Sequence, residues 1–152
     1  MPTLDDVYRK FGETAEAAQL LETQLGTRLL SVRGEEHNLF TDPNPELAEE
    51  IYSTINRHTL GQLIKGLKST PQSLDALESL LLNALQERNR LSHSFYRQHN
   101  FRRNSEEGRA LMLNDLESIH DTLLRAYKAI MLLSGINIDE LEDNAPTQHV
   151  QI

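Results

Sequence analysis

Apolar side chains fall at steps of three and four along most of this chain, the period of helices that bury one face. Val7, Phe11, Ala15, Ala18, Leu21, Leu25, Leu29 and Val32 define a first helix over about Thr3 to Val32. Thr3 is its expected N-cap, and Asp5 and Asp6 suit the positive end of the helix dipole. Small residues at 15, 17 and 18 predict close approach of a neighbouring helix. Arg33 to Asn44 reads as a loop, with Gly34 and Pro43 as punctuation. Asn44 caps a second helix that starts at Pro45 and carries Leu47, Ile51 and Ile55. Thr59 to Leu67 predicts a further short helix despite its two glycines. A break at Ser69 to Gln72 precedes a long helix from Ser73 to about Gln98, with Leu74, Leu77, Leu81 and Leu85 as its stripe. Asn100 to Asn104 forms a short basic connection, and Ser105 caps a last helix. That helix has the stripe Leu116, Ile119, Leu123, Tyr127, Ile130 and Leu133, and ends at Ser134-Gly135. No stretch alternates convincingly as a strand. The expected fold is all-α, a bundle of about four to five helices. It is a single domain over residues 1–135 with an acidic flexible tail over 136–152.

One stretch departs from the pattern. Projected at about 100° per residue, Leu77, Leu81, Arg88, Phe95 and His99 share the core-facing stripe, so a guanidinium stands where a leucine is expected. Asn89, His93, Leu82 and Tyr96 share a flank about 100–160° round, and Asn89 and His93 are neighbours one turn apart. Arginine, amide and imidazole thus converge at one helix edge. These groups suit phosphodiester cleavage. Histidine exchanges protons near neutral pH, arginine holds a phosphate in its fork, and asparagine orients the ring or donates to a phosphate oxygen. In RNA the 2′-hydroxyl is an internal nucleophile, so the chemistry needs no metal or other cofactor. Tyr96 and Phe95 can stack a base, and Arg97, Arg102, Arg103 and Arg109 make this the most basic part of the chain. A second reading stands beside the first: Arg88 pairs with an acidic side chain across the bundle, and His93 is a structural histidine.

Composition sharpens this picture. The 152 residues carry a formal net charge of -8, so the chain is no general phosphate-neutralising nucleic-acid binder, although a local basic site remains compatible with RNA. Cysteine is absent, which removes disulfides and thiolate chemistry and fits a reducing cytoplasm. No apolar run reaches the roughly 20 residues that span a bilayer, and the first residues lack the basic and apolar regions of a secretory signal.

Arg88-Asn89-Arg90-Leu91-Ser92-His93 resembles the signature of the HEPN superfamily: an arginine, four to six residues with a polar one first, then histidine. Its place late in a long helix, before an aromatic pair and another long helix, agrees. The resemblance implies a compact helical bundle that homodimerises with two motifs meeting across the interface. It also implies metal-independent endoribonuclease activity, as in toxins of toxin–antitoxin pairs and defence systems, with an antitoxin or regulatory protein as partner. Carried over, Arg88 holds phosphate, Asn89 is the polar partner and His93 is the acid/base. Other members are non-catalytic interaction or regulatory modules, including partners of nucleotidyltransferases, and the acidic charge and tail point that way.

Other signals carry less. Glu117-x-x-His120 has the spacing of a bundle di-iron ligand pair, but no second copy exists, so a solvated helix face is expected. His37 sits in a polar loop, His58 follows Arg57 without a recognisable partner, and Gly61 to Gly66 lacks the lysine of a phosphate loop.

Overall fold

The computed structural model describes residues 1–68 and 77–141. The described residues form six α-helices and no strand: α1 (Leu4–Glu36), α2 (Pro45–Asn56), α3 (Leu60–Lys68), α4 (Glu78–His93), α5 (Phe95–His99) and α6 (Glu106–Leu133). Two 3-10 turns follow α5 and α6, at Asn100–Asn104 and Ile138–Glu140. The all-α class is as expected, with one helix more than the largest expected number. The expected break at Ser69 to Gln72, the start at Ser73, Leu74 and the tail beyond Leu141 lie outside the described residues. Within the expected tail, Lys128 reaches back from α6 to Asp139 at 2.8 Å. No helix among the described residues is long and apolar enough to cross a membrane.

α1 and α6 pack along each other, and α6 also supports α4 and the first 3-10 turn, while α2 and α3 pack on α1. The stripes read from the sequence supply the core. Leu21, Leu25 and Leu29 of α1 meet Leu60 and Leu67 of α3, Leu81 of α4 and Leu116, Ile119, Leu123 and Ile130 of α6, all buried. Burying each such side chain stabilises the fold by about 1.5–3 kcal/mol.

Caps set the helix starts. The Thr3 hydroxyl accepts from the Asp6 N–H, and the Thr3 N–H donates to the Asp6 carboxylate, a reciprocal box. That backbone bond, with the Thr3 hydroxyl bond next, holds Asp6 below the usual carboxylate range. Asn44 and Ser105 cap α2 and α6 in the same sense. A second reciprocal box joins Thr59 and Gln62 and fixes the start of α3 despite its two glycines.

Two boundaries differ from expectation. α1 runs through Arg33 and Gly34 to Glu36, because Gly34 is buried in the helix with the Phe40 ring against it and Arg33 pairs with Glu36 at 3.0 Å. The turn falls instead at Asn38, which adopts φ 56°. The long helix expected to end near Gln98 breaks at Ser94, where φ is -133°. Beyond the break, Phe95 and His99 are buried on the core side, as the stripe required. Arg97 donates to the His93 carbonyl at 2.8 Å, satisfying an acceptor at the end of α4.

Candidate functional site

α4 brings two arginines of opposite character within two residues of each other. Both terminal nitrogens of Arg90 are engaged. Its Nη1 and Nη2 grip the Asp115 carboxylate of α6 at 2.7 Å each, and it also donates to Glu87 at 2.7 Å and Gln98 at 3.2 Å. Hydrogen bonding from Arg90 is the main reason Asp115 lies below the usual carboxylate range; burial opposes it and the His99 bond adds to it. The Asp115 hydrogen bonds in turn raise the affinity of Arg90 for its proton.

Asp115 also meets the buried His99 ring, at 2.6 Å from Nε2. Arg102 lies 3.1 Å from Nδ1 of the same ring. A guanidinium only donates, so Nδ1 accepts and Nε2–H donates to Asp115, which fixes the neutral tautomer. Arg90, Asp115, His99 and Arg102 thus form one chain of hydrogen bonds tying α4, α5, the 3-10 turn and α6 together. Sequence reasoning placed His99 on the core stripe without asking what would satisfy it. A histidine on an apolar face needs a buried partner, and that was the available signal.

Arg88 is held loosely. Its Nε donates to Glu22 of α1 at 3.0 Å and its Nη1 to Asn89 Oδ1 at 3.3 Å, and Nη2 has no partner among the described residues. Projection had put Arg88 inward, and its side chain is three-quarters buried, at 25% exposure. The acidic partner across the bundle, one of the two sequence readings, is Glu22. A groove of about 320 Å³ runs beside this pair between α1 and α4, with Phe11, Ala15, Ala18 and Leu91 as its apolar wall and Ser92 at its edge. Ala17 and Ala18 are buried as the small-residue pattern anticipated, whereas Ala15 opens onto this groove.

Asn89 and His93 lie exposed one turn apart on α4, in line with Leu82 and Gln86. The His93 imidazole makes no hydrogen bond among the described residues; its backbone carbonyl accepts from Arg97. The structure therefore joins Arg88 to Asn89 directly and sets His93 free on the adjoining surface.

Of the two expected base-stacking aromatics, Phe95 is buried in the core and offers no face to a base, and the expected RNA-contacting arginines each turn to a protein partner. Tyr96 packs at 5.1 Å from Phe11 and at 6.4 Å edge-on to Tyr8, still 39% exposed. Partial burial, then the neighbouring Tyr8, pushes its phenol above the usual range, with Arg103 opposing. Arg103 donates to the Tyr8 hydroxyl at 2.9 Å, Arg97 folds onto α4 and Arg102 turns inward to His99. Arg109 ties Pro2 and Arg103 carbonyls and so closes the basic end of the bundle.

No group of His, Asp and Glu that could hold a metal occurs among the described residues. Glu117 and His120 instead clasp Lys10 of α1 at 2.8 and 2.9 Å, and the Lys10 hydrogen bond holds Glu117 below the usual carboxylate range. Comparison with known proteins finds no family model, no curated protein and no solved structure that matches this chain.

Proposed function

We propose that the chain is a cytoplasmic, metal-independent endoribonuclease resembling the HEPN superfamily, a toxin or defence component that acts as a homodimer. The observation that carries this reading is the contrast on α4. Both terminal nitrogens of Arg90 are spent on protein partners, while among the described residues Arg88 Nη2 and the His93 imidazole beside Asn89 have none. Side chains left unpaired at the edge of an otherwise satisfied network are what a ligand can use.

The chemistry follows from these groups. The 2′-hydroxyl attacks the adjacent phosphorus, one imidazole takes its proton, the O2′–P bond forms and the P–O5′ bond breaks. A protonated imidazole then returns a proton to the departing O5′. One histidine cannot be base and acid in the same step, so a second copy supplies the partner His93. The Arg88 fork stabilises charge on the phosphoryl oxygens, and Asn89, already bonded to Arg88, orients it. The α4 surface of Leu82, Gln86, Asn89 and His93 is the face offered to the second copy.

The net charge of -8 and the Glu22 grip on Arg88 favour a second reading, a non-catalytic interaction module. RNA incubated in EDTA separates the two. Cleavage by the wild type, lost in His93→Ala and Arg88→Ala while both keep the wild-type melting temperature, supports the ribonuclease. Intact RNA from concentrated, folded wild type supports the module.

A further inference from the structure

We infer that Glu22 is a built-in competitor for the phosphate at Arg88, an inference that rests on the ribonuclease reading. RNA then engages the site only by displacing a carboxylate. The Glu22 contact is made through Nε alone, at 3.0 Å, whereas the Asp115 grip on Arg90 uses two guanidinium nitrogens at 2.7 Å each. A phosphate oxygen pair can occupy Nε and the free Nη2 together, the bidentate geometry that Glu22 leaves unused. Both partners of the Arg88–Glu22 pair are about a quarter exposed, so the anion reaches them from solvent.

Glu22 also has somewhere to go. It stands on the ridge between two grooves: the one beside Arg88, and a second of about 390 Å³ between α1 and α2–α3. Thr23, Asn56 and His58 line that second groove, and the buried Nδ1 of His58 has no hydrogen-bond partner among the described residues. Rotation of one side chain therefore moves the carboxylate from a cationic wall to a polar one and bares the guanidinium. A part-exposed ion pair is worth little enough for a bidentate phosphate oxyanion to replace it.

The test titrates inorganic phosphate and a short 2′-O-methylated RNA into full-length wild type, Glu22→Gln and Glu49→Gln, the last making the same charge change on the exposed surface of α2. Glu22→Gln tightens both ligands about three- to tenfold. Glu49→Gln leaves them unchanged, and Arg88→Ala combined with Glu22→Gln cancels the gain. In wild type, the Arg88 Nε–H resonance moves as phosphate is added. Unchanged or weaker binding by folded Glu22→Gln, or an unmoved Arg88 resonance, overturns the inference. Should Glu22→Gln misfold, Glu22→Asp, with its shorter reach, takes its place with the same two outcomes. Wild type that binds phosphate through Arg88 but leaves RNA intact removes the ribonuclease and leaves the competition standing. RNA cut equally fast by wild type and Glu22→Gln at subsaturating RNA removes the competition and leaves the ribonuclease.

Discussion

Arg88 and Arg90 look interchangeable in the sequence and differ in what their donors do. Arg90 is a strut, because Asp115 takes two of its nitrogens and Glu87 and Gln98 add further bonds. Removing Asp115 strands two partners, Arg90 and His99, in a part-buried setting. Asp115→Ala is expected to cost about 2–3 kcal/mol, below the full cost of breaking a buried pair because the carboxylate is 23% exposed; urea unfolding near neutral pH measures it. The native Asp115 pKa lies below its usual 3.8, so between these values the unfolded chain binds a proton that the native state does not. The stability that Asp115 contributes is present above pH 3.8 and is lost as pH falls through the lower native value. Wild type should therefore exceed Asp115→Asn in stability near neutral pH and converge with it in stronger acid. His93 is the opposite case. Its ring is exposed and makes no hydrogen bond among the described residues, so His93→Ala should change stability by no more than about 0.5 kcal/mol.

At the scale of elements, helix stripes and caps were legible because they are local. Thr3, Asn44 and Ser105 cap where their residue types suggested, and Leu21, Leu25, Leu29, Leu116 and Leu123 are buried as their spacing required. The break at Ser94 was not legible, because neither glycine nor proline marks it. Glu22 was equally hidden: its partner is 66 residues away. The 3-10 turn is seated by one glycine. A Cβ on Gly108 would lie 2.0 Å from the Arg102 carbonyl oxygen, and backbone, unlike a flexible side chain, cannot swing away. Gly108→Ala should therefore lift the turn off α6, break the Arg102–His99 bond and lower the melting temperature sharply. Faster amide exchange over 99–105 would mark the displacement; exchange matching the wild type would mean the turn is not seated this way. Thr3→Ala, by contrast, removes only the cap of α1 and should cost about 1 kcal/mol.

For the whole molecule, the fold closes its core around α1 and α6 and leaves the Leu82–His93 face of α4 to solvent. If that face receives a second copy, sedimentation should give twice the 17.4 kDa of the chain, and Leu82→Glu should return it to the monomer without unfolding it. An unchanged dimer would place the interface elsewhere. The net charge of -8 confines any attraction for RNA to the basic end of the bundle, where Arg97, Arg102, Arg103 and Arg109 gather around α5 and its turn. The ends of the cleaved strand test the central claim most directly. A reaction driven by the 2′-hydroxyl in EDTA leaves a 2′,3′-cyclic phosphate and a 5′-hydroxyl, and His93→Ala yields neither. Uncut RNA, or products with 3′-hydroxyl and 5′-phosphate ends, would contradict the assignment of Arg88, Asn89 and His93.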